Sequence, residues 1–175
     1  MSSKKTEIYR SSSSEETKKL GCNIARTLTR GDAVKKKCAT VFALQGDLGA
    51  GKTTFVQGFL KGLGSKKRAT SPTFVLMRRH VLGGRRGAGG QKKFKNVFHI
   101  DAYRLKKPEH VAALTLDVIL NEPYNILLIE WPEQAKKFLP KKTTWIKFKY
   151  GKKENERIIA ITRPTQTPAR PRPQK

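Results

Sequence analysis

The chain has 175 residues, about one domain's worth, with 38 Lys and Arg against 13 Asp and Glu and a formal net charge of +25. No stretch approaches the ~20 uninterrupted apolar residues of a membrane span, and the polar, Ser-rich start from Met1 to Ser14 lacks the apolar core of a secretory signal. Cys22 and Cys38 have neither CxxC nor His-paired spacing, which argues against a disulfide framework or zinc site and for two small thiols in a reducing cytoplasm.

Residues 1–12 read as a disordered N-terminal extension, because Ser, Lys and Thr leave almost nothing to bury. Ser13 opens a helix: Glu16 completes a capping box, Leu20, Ile24 and Leu28 form one apolar stripe, and Gly31 ends it. Ala39 to Gln45 is a short apolar run and predicts a buried strand. A Gly-rich loop follows, then a helix from Lys52 to Leu63 with Phe55, Phe59 and Leu63 on one face. Thr73 to Leu82 and Lys95 to Ile100 are extended runs flanking a Gly and Arg loop, which predicts a hairpin whose 83–95 connection is flexible and basic. Pro108 suits the first turn of a helix carrying Val111, Leu114, Val118 and Ile119. Ile126 to Ile129 predicts a second buried strand, and Pro132 to Leu139 a short helix. Thr143 to Tyr150 and Arg157 to Thr162 predict another hairpin through Gly151, and residues 163–175 a disordered, basic, Pro-rich tail. Strands alternating with helices indicate an α/β layered sheet.

The charge is uneven. From Lys61 to Lys95 there is no Asp or Glu, and the tail is basic as well. Such a chain is drawn to polyanions: RNA, DNA or phosphorylated metabolites. It carries no arginine-glycine repeat, zinc-finger spacing or aromatic-rich single-strand platform.

Gly46-Asp47-Leu48-Gly49-Ala50-Gly51-Lys52-Thr53 fits G-x-x-x-x-G-K-[ST] at every fixed position, and Thr54 follows. The chemistry dictates those residue types. Gly49 and Gly51 permit positive φ and close backbone approach, so that successive N–H groups can form an anion nest. The following helix adds its positive end. Lys52 suits the β- and γ-phosphates, and the Thr53 hydroxyl suits Mg²⁺. A strand before the loop and an amphipathic helix after it are the context that the motif requires. The expected architecture is therefore a P-loop NTPase-like three-layer fold, with a mostly parallel central sheet, helices on both faces and antiparallel hairpins.

Such a loop needs a carboxylate near the metal, at the end of a buried strand. Asp101 ends Val97-Phe98-His99-Ile100 and Glu130 ends Ile126-Leu127-Leu128-Ile129. Local sequence leaves open which ligates metal and which positions water. Thr73, in Ser71-Pro72-Thr73-Phe74, stands where switch-type NTPases place a hydroxyl on Mg²⁺ or the γ-phosphate. His99, flanked by Phe98 and Ile100, reads as a hydrogen-bonded core or edge histidine rather than a catalyst. Trp131 fits a core, lid or partner-contact role equally well.

Four segments in one order, GDLGAGKTT at 46–54, SPTF at 71–74, HIDAYRL at 99–105 and IEWPE at 129–133, carry a family resemblance. Over residues 13–162 the chain resembles the TsaE (YjeE) family, small bacterial P-loop ATPases of tRNA threonylcarbamoyladenosine synthesis. The resemblance implies ATP and Mg²⁺ as cofactors and homologues of TsaB and TsaD as partners. It implies a cytoplasmic ATP hydrolysis that resets that pair rather than forming the new bond. It implies that Asp47 to Thr54 bind nucleotide, that Thr53 and Glu130 hold the metal, and that Asp101, Lys52 and Thr73 serve hydrolysis. Ser13 and Thr17 fall in the segment that lies near the adenine in the family, on a looser match. The basic 83–95 loop and both extensions depart from the family. They either help to hold tRNA or reflect lineage composition. A small-molecule or nucleoside kinase using the same loop is the alternative, and an RNA-binding protein with a vestigial nucleotide site a third reading. No N-K-x-D guanine motif occurs, which favours adenine.

Overall fold

The apolar runs form the middle of one seven-stranded sheet, in a computed structural model that describes residues 4–30, 37–65, 76–83, 94–104 and 115–164. β2 (Thr40–Gln45), β5 (Asn125–Glu130) and β4 (Asn96–Asp101) lie side by side and parallel. All six residues of β5 are buried, so this strand needs an unbroken apolar run rather than alternation. β3 (Met77–Val81) pairs antiparallel with β4 at one edge. On the other side β6 (Thr144–Tyr150) runs parallel to β2, followed antiparallel by β7 (Arg157–Pro164) and then β1 (Lys4–Ser11). The order is β1-β7-β6-β2-β5-β4-β3.

Two expectations are corrected here. The sheet is mixed, not mostly parallel: β2 pairs parallel with β5 and β6, and β5 with β4, whereas the three remaining pairings are antiparallel. A parallel pair needs a crossover of a dozen or more residues. The short turn through Gly151 between β6 and β7 permits only an antiparallel return. The expected disordered extension over residues 1–12 does not hold for Lys4–Ser11, which align with β7 from Lys4 opposite Pro164 to Ser11 opposite Arg157. An edge strand draws on backbone hydrogen bonds and so needs no apolar run. Tyr9 also packs on the core, and Ser11 is buried. The folded unit therefore begins before Ser13, and β7 continues through Pro164.

α1 (Ser14–Arg30) and α2 (Lys52–Gly62) cover one face. The Ser13 Oγ accepts the Glu16 N–H at 3.2 Å, and the Glu16 Oε2 accepts the Ser12 N–H at 2.7 Å, a capping box reaching one residue further back than usual. The two helices meet backbone to backbone: a Cβ on Gly58 would lie 1.9 Å from the Lys18 carbonyl oxygen. Beneath them Phe59 meets Phe42 edge-on at 5.1 Å, and Phe55 meets Phe148 at 5.7 Å. On the opposite face α3 (Leu116–Leu120) and two 3₁₀ helices, Ala102–Arg104 and Pro132–Phe138, pack on Val41, Ala43, Ile100, Leu127 and Ile129. Helical elements thus lie on both faces. Of the helix expected from Pro108, Leu116–Leu120 is seen; residues 105–114, with Val111 and Leu114, lie outside the described residues, as do Gly31, Thr73, 84–93 and 165–175. Among the described residues no helix is long and apolar enough to cross a membrane.

Candidate functional site

The parallel centre brings the C-terminal ends of β2, β4 and β5 to one edge, where Leu44 is opposite Glu130 and Glu130 opposite Asp101. The loop Gly46–Gly51 leaves β2 at this edge and turns into α2. Gly49 and Gly51 adopt φ of +74° and +100°, which L side chains rarely take. Gly51 caps α2, so the loop sits at the helix's positive end.

Lys52 folds back over the loop. Its ammonium donates to the Gly46 and Asp47 carbonyls at 2.7 and 2.8 Å and lies 4.4 Å from the centre of the Trp131 ring. Burial pushes its pKa below the usual lysine value, opposed by the charges of Glu130, Asp101, Asp47 and Glu133. Trp131, at φ +56°, also lies 5.0 Å from Tyr103. Half-buried, Trp131 packs on the core of the opposite face as well as lying against Lys52.

Strand alternation turns Val97, His99 and Asp101, and likewise Ile126, Leu128 and Glu130, towards α2. Both carboxylates thus lie on the side of the sheet that α2 covers, where their charges act on Lys52. Glu130, 3% exposed, accepts the Thr53 hydroxyl at 3.0 Å on Oε1 and 3.3 Å on Oε2. His99 Nε2 lies 2.8 Å from Glu130 Oε1. Asp101 is equally enclosed, and its Oδ1 accepts the Tyr103 N–H at 3.1 Å. A hydroxyl and a carboxylate oxygen on one spot are hard donors that fit Mg²⁺. Among the described residues no three of His, Cys, Asp and Glu gather into a metal cage.

The two N-terminal candidates separate. Thr17 is buried beside the loop: its Cγ2 lies 3.7 Å from where a Cβ on Gly51 would stand, and its hydroxyl pairs with the Ser11 Oγ at 2.8 Å. Ser13 caps α1 instead. An open cavity of about 610 Å³ lies between this junction and the β6–β7 turn, lined by Arg10, Ser11, Ser12, Glu16 and residues 153–156.

Sequence reading missed two further contacts. The Tyr150 hydroxyl donates to the Leu48 carbonyl at 2.5 Å, and Arg157 Nη2 donates to the Gly49 carbonyl at 3.3 Å. The guanidinium also lies 4.7 Å from the Tyr150 ring centre. No local signal marks either residue, because only the hairpin register carries them to a loop about 100 positions earlier. Arg79 donates from Nε to Asn96 Oδ1 on the far edge.

These features define a mixed α/β protein whose G-x-x-x-x-G-K-T loop faces two carboxylates at the ends of parallel strands. The model of the family described as threonylcarbamoyl adenosine biosynthesis protein TsaE matches residues 11–159, and the chain belongs to that family. It is 34% identical to the Haemophilus influenzae tRNA threonylcarbamoyladenosine biosynthesis protein TsaE, over 71% of this chain and 72% of that one. It is 37% identical to the Nostoc protein of the same name, over 69% of this chain but 64% of that one. The Bacillus subtilis protein of that name is 31% identical over 88% of this chain and 84% of its own. The crystal structure of Bacillus subtilis YdiB superposes with a TM-score of 0.62 at 30% identity, covering 94% of this chain and 90% of that one.

Proposed function

We propose that this chain is a P-loop NTPase-like, ATP-hydrolysing component of tRNA threonylcarbamoyladenosine biosynthesis, working in the cytoplasm with homologues of TsaB and TsaD. The observation that carries the reading is the convergence of Thr53, Glu130 and Lys52 on the glycine loop. The amides from Asp47 to Thr54 cradle the phosphates, and Lys52 exchanges its two loop carbonyls for β- and γ-phosphate oxygens. Thr53 and Glu130 hold magnesium. A magnesium ion held there would supply positive charge beside the phosphates. Asp101 accepts a hydrogen bond from the attacking water, and Thr73 serves as the switch hydroxyl. The adenosine end lies against the cavity beside Ser13 and Thr17. Support for that placement comes from its neighbours: Ser11 in its wall pairs with the Thr17 hydroxyl, and Tyr150 and Arg157, on either side of the turn that lines it, donate to Leu48 and Gly49 of the loop.

Turnover is slow in the isolated chain and rises when the partners complete the site. The test is phosphate release from ATP by the purified protein, alone and with TsaB and TsaD. Lys52→Ala should lower it by at least about 100-fold, the scale of removing one charge-stabilising donor. ATP consumption that ignores the partners would overturn the assigned role, and phosphate appearing on an added acceptor would establish a kinase. No feature among the described residues favours the kinase alternative.

A further inference from the structure

β4 places one more polar side chain at the site, and the family motifs leave it without a task. His99 has no exposed side-chain surface and stands two residues before Asp101 on the same face of the strand. Its Nε2 is 2.8 Å from Glu130 Oε1. Read as a magnesium ligand, Glu130 presents acceptor oxygens only, so Nε2–H is the donor of this bond. The other ring nitrogen, Nδ1, meets no hydrogen-bond partner among the described residues. Every polar contact described for the ring therefore goes to Glu130.

We propose that His99 is a positioning residue for the metal site. Its Nε2–H holds Glu130 Oε1, which the Thr53 hydroxyl also meets at 3.0 Å, and leaves Oε2, which the ring does not touch, for a divalent cation. Packing locks the ring and one hydrogen bond transmits that order to the ligand, the general logic of outer-shell partners. Without the bond, the Thr53 hydroxyl is the one hydrogen-bond donor described for the Glu130 carboxylate. The proposal rests on the reading of Thr53 and Glu130 as magnesium ligands given above.

The test uses the full chain, Mn²⁺ as a paramagnetic stand-in and ADP, so that no hydrolysis is required. Free Mn²⁺ is counted by electron paramagnetic resonance, and ADP binding is measured separately with chelator present. His99→Phe keeps a buried ring and removes the donor. His99→Gln restores an amide N–H near the position of Nε2. Mn²⁺ affinity should fall about 10- to 100-fold in His99→Phe and recover most of the way in His99→Gln, with metal-free ADP affinity unchanged in both. Should the Phe variant fold poorly, His99→Asn, whose amide is too short to reach Glu130, takes its place against His99→Gln. Wild-type Mn²⁺ affinity in the donor-less variant, or equal loss with and without the restored amide, overturns the proposal. Glu130→Gln is the control for the underlying reading: unaltered Mn²⁺ binding there shows that Glu130 is no ligand, and both ideas fall together.

Discussion

In the centre of the sheet β2, β5 and β4 are covered on both faces, and β5 has no exposed residue. In the wing formed by β6, β7 and β1, one face packs under α1 and α2. The other carries exposed Arg10, Lys147 and Lys149 and an Ile8 that is 69% exposed. The difference decides where chemistry can appear. A strand buried on both faces can meet a ligand only where it ends, and Asp101 and Glu130 are last in β4 and β5. A wing strand is half wet and can place polar groups along its length and in its turn. Tyr150 and Arg157 use that freedom to brace the glycine loop from the side. The centre supplies the reacting groups, and the wing holds the loop that presents them.

Breaking the centre has the largest expected effect. Phe59 is fully buried and touches both Phe42 and Phe55. Phe59→Ala should cost about 3–5 kcal/mol in urea unfolding, transfer and cavity terms together. A loss under about 1 kcal/mol would mean that the space collapses and that the aromatic packing is not what holds α2 on the sheet. Next is the junction of the two regions. Ser13→Ala removes the cap of α1 and should cost about 1 kcal/mol, read the same way.

The brace itself is tested by Tyr150→Phe, which keeps the ring and deletes the donor to Leu48. A net hydrogen bond of about 0.5–1.5 kcal/mol predicts roughly 2- to 10-fold weaker ATP binding by calorimetry. Unchanged affinity would reduce the wing to scaffolding. The smallest effect lies at the outer edge. The Arg163 guanidinium, with help from the Tyr9 hydroxyl and Lys5, lowers the pKa of Glu7 from 4.5 to about 2. A carboxylate held low contributes stability above its unfolded pKa and loses it as the pH falls through the folded one. Arg163→Ala should return Glu7 towards 4.5 in a carbon-detected NMR titration. It should also flatten the small stability change between about pH 4.5 and 2, small because the pair is solvent-exposed.

Much of the centre was legible before any coordinates. Unbroken apolar runs, a capping box and the loop motif are local signals, and they located β2, α1, α2, β5 and the two strand-end carboxylates. β1 was not legible, because its sequence has hydrogen-bonding groups and an alternation but little to bury. His99 could be read as a hydrogen-bonded buried histidine, yet its partner 31 residues away could not.

What the residues alone determined is the chemistry offered to a ligand: a glycine loop, an ammonium, threonine hydroxyls and two carboxylates at the ends of buried strands. The tertiary structure decided which of these touch. It set Thr53 on Glu130 across 77 positions, laid Trp131 over Lys52, sent β7 and β1 back antiparallel and brought Tyr150 and Arg157 to the loop. The physical reason is range. Capping, periodicity and backbone freedom act within a few residues and leave their mark in local sequence. Strand register and the meeting of faces are settled by burial summed over the whole sheet, which no short segment records.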